Sequence, residues 1–119
     1  MDDAYINVHR ARGLYALGQH QQAAEDFRTA IVDLPAGYHR DKGVYLAQES
    51  LAHVGAREPE DAAQVGLHAL QVAESTASAR IMTELAGLDT QLERWPKIPA
   101  VAEFRQAFDA LVPRQAQDP

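Results

Sequence analysis

Five histidines, His9, His20, His39, His53 and His68, are the side chains of this 119-residue chain best suited to binding a metal or moving a proton near neutral pH. The sharpest combination is Glu49 with His53, four residues apart, which on a helix would offer a carboxylate and an imidazole from one face. No third ligand stands at a useful spacing, so the pair is read as a solvated pair on an exposed helix. Glu58, Glu60 and Asp61 could form an acid–base cluster, but around Pro59 they are read as carboxylates favouring the positive end of a helix. Three serines, Ser50, Ser75 and Ser78, have no convincing His and Asp partners for nucleophilic chemistry. Phosphate-cradling glycine loops, HExxH, a calcium loop and GxSxG are all missing. With no cysteine, disulfides, thiol catalysis and cysteine-ligated zinc are excluded. The chain is expected to be no enzyme, with no catalytic residue, no metal and no cofactor.

The length suits one domain, and 46% apolar with 24% charged residues is an ordinary globular mixture. The net charge of −6 argues against direct contact with nucleic acid, where Lys and Arg must displace counterions. The excess is concentrated: residues 41–75 carry two basic and six acidic groups, which suggests a basic partner for that stretch. The N-terminus does not read as a signal peptide, and no apolar run reaches the ~18 residues of a membrane helix. A cytoplasmic protein with no membrane contact is expected.

Hydrophobic spacing is helical nearly throughout, and no strand-length alternation occurs. Breaks at Gly18, Pro35 to Gly37, Gly55 to Pro59, Ser75 to Ser78 and Pro96 to Pro99 predict six helices. They are placed at about 3–17, 21–33, 42–54, from 59, 78–94 and 100–112, with Asp41 a candidate cap for the third and Pro113 closing the last. Ile81, Leu85, Leu88, Leu92 and Trp95 form the cleanest stripe, spaced four, three, four, three. It is read as an internal face packed against Phe104 and Phe108 of the sixth helix, with a homodimer seam as the alternative.

The segment from Ala11 to Pro35 resembles one tetratricopeptide repeat. Ala11, Leu14, Gly18, Ala23, Phe27, Ala30 and Pro35 stand where that family has its small, large, turn, small, aromatic, small and closing residues. Small residues let two helices approach, and the aromatic fills the gap between them. A second, degenerate copy covers about Lys42 to Ala73, with Gly55 ending its first helix and Ala62 and Ala69 as small positions. Its turn, GAREPED, is longer, Gln48 takes its small position, and Gly66 replaces the aromatic, so Ile81 or Leu85 is expected to fill that space. The expected fold is all-α: antiparallel helix pairs stacked as a short repeat-like array, with repeats at 4–35 and 42–74, a closing helix pair at 78–112 and a frayed tail at 113–119. The order of segments also resembles the C-terminal region of actinobacterial helix-turn-helix regulators.

The tetratricopeptide resemblance implies a concave groove, lined by the first helices of successive pairs, that holds a protein or peptide partner. Carried onto this chain, the partner-binding residues would be Tyr5, Val8, Arg12 and Tyr15 from the first pair, and Tyr45 and Glu49 from the second. One subset of the family clamps chaperone C-termini with a Lys and an Asn, and Val8 and Arg12 occupy those places here, so that function is not implied. The function expected is a non-catalytic interaction module, the alternatives being the sensory or self-association domain of a helix-turn-helix regulator, or a small helical metal protein or enzyme.

Overall fold

Alanine carries much of the helix–helix packing. Ala11, Ala23, Ala30, Ala47, Ala52, Ala62, Ala63 and Ala69 are all completely buried, and each costs little helix propensity while letting backbones come close. The computed structural model describes residues 3–112. Its elements are α1 (Asp3–Ala16), α2 (His20–Asp33), α3 (His39–Gly55), α4 (Pro59–Thr76), α5 (Ala79–Leu92) and α6 (Pro99–Leu111). The fold is therefore all-α, with no strand among the described residues. The expected helix stop at Pro113 and the frayed tail lie outside those residues.

α1 and α2 run antiparallel. Asn7 near the start of α1 donates to Asp33 at the end of α2, while Tyr15 at the end of α1 meets His20 at the start of α2. α2 packs on α1 and on α3, and α3 packs on α4. The described body measures 45 × 30 × 23 Å, long in one direction because the pairs lie side by side. No helix in it is long and apolar enough to cross a membrane.

The helix ends show where residue type decides a turn and where it does not. Gly18 takes φ +82°, Gly18 N–H donates to Tyr15 C=O and Gln19 N–H to Leu14 C=O, which closes α1 in a Schellman turn. α3 closes in the same way, but the left-handed residue is Arg57 at φ 61°, with Arg57 N–H on Val54 C=O and Glu58 N–H on His53 C=O. The expected stop at Gly55 is thus corrected. Gly55 is the last helical residue, and its missing side chain is where the His20 ring sits. α3 also begins three residues before the expected start, because Gly37 at φ +98° turns the chain early. Asp41 consequently lies in the first turn rather than at the cap. Ser78 does cap α5, its hydroxyl accepting from Ile81 N–H at 3.2 Å.

The main core joins α3 to α6. Ile81, Leu85, Leu88 and Leu92 have no exposed surface, so the α5 stripe is internal and is not available as a dimer seam in this fold. Its packing partners differ from expectation: α5 lies chiefly on α3 and α4, and α6 chiefly on α4. The reason is Gly66. A Cβ there would lie 2.6 Å from Leu88 and 3.0 Å from Phe104, so both side chains fill the place of the missing aromatic. Ile81, one of the residues expected there, instead occupies a second notch at Gly43. A smaller cluster of Ala11, Ala23, Ala24, Phe27 and Ala52 ties α1 and α2 to α3.

Two glycine-to-alanine substitutions are expected to have opposite signs. Gly66→Ala overpacks the core and should cost about 1–3 kcal/mol. Gly87→Ala, with nothing within 4 Å of the added methyl, should gain about 0.5–1 kcal/mol from helix propensity. Urea unfolding followed by circular dichroism checks both.

Candidate functional site

Neighbouring residues on α3 point to different faces, and two distinct surfaces result. The first is a cleft of about 170 Å³ walled by Arg12 and Tyr15 of α1, Gln48 and Leu51 of α3 and Glu84 of α5, with Phe27 of α2 also lining it. Arg12 Nε–H donates to Gln48 Oε1 at 3.2 Å, and the Arg12 guanidinium lies 5.9 Å from the centroid of the Tyr45 ring. The Tyr15 ring packs 5.0 Å from the His20 ring, which fills the Gly55 notch. The cleft walls therefore come from the first helix of each successive pair.

Of the six residues expected in a groove, Arg12 and Tyr15 line this cleft and Tyr45 joins it through Arg12. Tyr5 is half-exposed further along α1, with its ring edge against His9 at 4.4 Å, and does not line the cleft. Val8 is corrected: only 2% exposed, it faces the interior. Glu49 is also corrected, because it faces away from the cleft. Ala47 takes the buried small position expected of Gln48, so the groove residue is Gln48 itself, and the register shifts by one. Aligning Ala11 with Ala47 would have paired Arg12 with Gln48 and Tyr15 with Leu51. Glu84 carried no such signal, since it sits on a helix without a recognisable repeat.

The second surface surrounds Glu49. Its side chain is 4% exposed, so the reading of a solvated Glu49–His53 pair is overturned. Arg28 of α2 reaches over it: Nη2 donates to Oε2 at 3.1 Å and lies 2.9 Å from Oε1, which itself accepts no hydrogen bond. His53 is held between two carboxylates, with Nε2 3.0 Å from Glu49 Oε2 and Nδ1 3.0 Å from Glu58 Oε1. The Arg57 turn brings Glu58 back over His53, five residues away in sequence, and no helical spacing rule places it there. Asp61, in the first turn of α4, borders the same open cavity of about 420 Å³. Glu58 and Asp61 are thus more than helix-end charges, while Glu60 remains an exposed first-turn acid. Two of the six acids in residues 41–75, Glu49 and Glu58, are turned onto His53, which weakens the case for a basic partner at that pair.

Electrostatics at His53 are a balance. Burial disfavours the imidazolium, but hydrogen bonds to Glu49 and Glu58 and then their charges outweigh it, so the His53 pKa is raised above 6.5. His68 moves the other way: burial, then the Lys42 and Arg28 charges, lower its pKa. His39 is exposed at the start of α3, and none of the remaining histidines joins His53.

Compared with known proteins, the chain matches no family model, and no curated protein or solved structure matches it.

Because the folded pKa of His53 exceeds its unfolded value of 6.5, its contribution to stability is complete below that value and is lost as pH rises through the folded pKa. Between about pH 6 and about pH 8.5 the His53 contribution should decline while that of His68 grows, so the melting temperature of the parent chain should fall more, or rise less, than that of His53→Gln. Thermal unfolding of both proteins across this range is the check. An identical slope in the variant would remove the ionic role of His53.

Proposed function

We propose that this chain is a non-catalytic interaction module that holds a peptide or protein partner in the cleft between α1, α3 and α5. The observation that carries the reading is the cleft itself: Arg12, Tyr15, Gln48, Leu51 and Glu84, one wall from the first helix of each pair. Its volume of about 170 Å³ is below the roughly 300–1,000 Å³ of small-molecule sites and suits a single side chain of a partner. Arginine and tyrosine are the residue types that most often anchor interfaces, and here they stand beside an apolar wall supplied by Leu51. The likeness to tetratricopeptide repeats belongs to the same proposal. It is supported by the Gly18 turn, the alanine seams, Phe27 between the helices and the alignment of α1, α3 and α5 along the cleft.

On this reading the module serves a bacterial regulatory system in the cytoplasm and acts through protein contacts rather than on nucleic acid, in keeping with its net charge of −6. Self-association through the α5 stripe is not favoured, because Leu85 and Leu88 are enclosed by the molecule's own helices. Leu88→Glu should therefore unfold the chain rather than dissociate a dimer.

The test is selection of peptides from a displayed random library, followed by fluorescence anisotropy on the best binder. Arg12→Ala and Tyr15→Ala should each weaken binding by about tenfold, the scale of an interface anchor, while Tyr5→Ala should not. A selected peptide that binds both cleft variants as tightly as the parent would place the interface elsewhere.

A further inference from the structure

The His53 cluster lies on the other side of α3 from the cleft and has no part in the proposed partner binding. Each of its ring nitrogens faces a carboxylate oxygen at 3.0 Å. A neutral imidazole has one N–H and one lone pair, so it can satisfy only one of those oxygens. The other contact would set lone pair against lone pair. Satisfying both contacts therefore takes one further proton shared between the ring and a carboxylate, or a metal ion in its place.

The two sides are not equivalent. On the Nε2 side, Glu49 is more than nine-tenths buried and held by Arg28, so it is a fixed acceptor for an Nε2–H. That fixes the tautomer and leaves the Nδ1 lone pair directed at Glu58. A carboxylate behind one histidine nitrogen, with the other nitrogen facing outward, is the arrangement that metal-ligating histidines use. On the Nδ1 side, donor atoms of His53, Glu58 and Asp61 all lie within 4.8 Å of one another. They border the cavity of about 420 Å³ that opens to solvent, which provides a path of entry.

We propose that His53 Nδ1, Glu58 and Asp61 bind a divalent transition-metal ion of the Zn²⁺ class, with Glu49 as the positioning carboxylate behind the histidine. Bonds of about 2.0–2.1 Å require the three donors to draw closer together than in the metal-free arrangement. Asp61 is exposed, so its side chain can supply that movement. One nitrogen and two carboxylate oxygens leave a fourth tetrahedral position for water. When the ion binds to a molecule whose His53 is an imidazolium, Nδ1 gives up its proton to solvent and the freed lone pair goes to the metal. Proton and metal compete for one nitrogen, and affinity rises with pH.

The experiment is calorimetric titration of the chelator-stripped full chain with ZnCl₂ in buffers of different ionisation enthalpy, alongside CoCl₂ followed by its visible absorption. One equivalent should bind, with release of protons, and more tightly at about pH 7.5 than at about pH 6. Glu49→Gln should weaken binding by about 10–100-fold. His53→Gln and Asp61→Asn should abolish uptake, with circular dichroism reporting the fold. Asp61→Asn alters an exposed side chain and decides the matter if His53→Gln does not fold. Absence of one-to-one uptake at the higher pH, or uptake that persists in Asp61→Asn, overturns the site and leaves His53 as an imidazolium between two carboxylates.

Discussion

The architecture depends on three places in the central helix pair where a side chain is missing. A Cβ at Gly43 would strike Ile81 and Val72, one at Gly55 would strike the His20 ring, and one at Gly66 would strike Leu88 and Phe104. Each notch admits a residue from another helix, and the visitors come from α2, α5 and α6. Close packing has no alternative room for them, because interiors are filled to crystal density. α3 and α4 therefore act as the hub on which the other helices seat.

Seating the neighbours divides the surface of α3. One face is taken by the core through Val44, Ala47 and Val54. Gln48 and Leu51 are left facing the space between α1 and α5, which becomes the cleft. Glu49 and His53 are left beneath α2 and the start of α4. A carboxylate buried there costs several kcal/mol unless it is paired, so Arg28 and His53 are conditions of the fold as much as features of a site. The cleft and the ionic cluster are thus two consequences of one helix being surrounded. They lie on different faces and share no lining residue.

Much of the fold was legible because it is written in short-range patterns. The α5 stripe announced a buried helix, and Ser78 announced its cap. Phe27 between small residues announced the first hairpin. Where expectation failed, a contact from outside the local segment was responsible. Gly55 reads as a helix stop by type, yet Arg57 makes the left-handed turn, and the space a side chain at Gly55 would need is filled by His20 of α2. Glu49 reads as a groove residue in a register one residue away from the observed one, and a shift of one residue on a helix rotates a side chain by about 100°. The candidate site was legible in part: Arg12 and Tyr15 from the repeat pattern, but not Glu84, whose place in the cleft depends on how α5 seats on α3.

By itself the sequence determined the helical class, the number of helices, the buried stripe of α5 and the absence of cysteine chemistry. These follow from periodicity, propensity and composition, which act within a few turns of chain. Only the tertiary structure decided that Glu49 is buried rather than solvated, that Glu58 and Asp61 meet His53, and that Leu88 and Phe104 together replace the missing aromatic. The physical reason is the same in each case. Burial and charge pairing depend on which helix lies opposite, and that is settled by side-chain volume across the seams rather than by spacing along one helix. Four-residue spacing put Glu49 and His53 on one face, and the packing of α2 over that face buried Glu49 and left His53 partly covered.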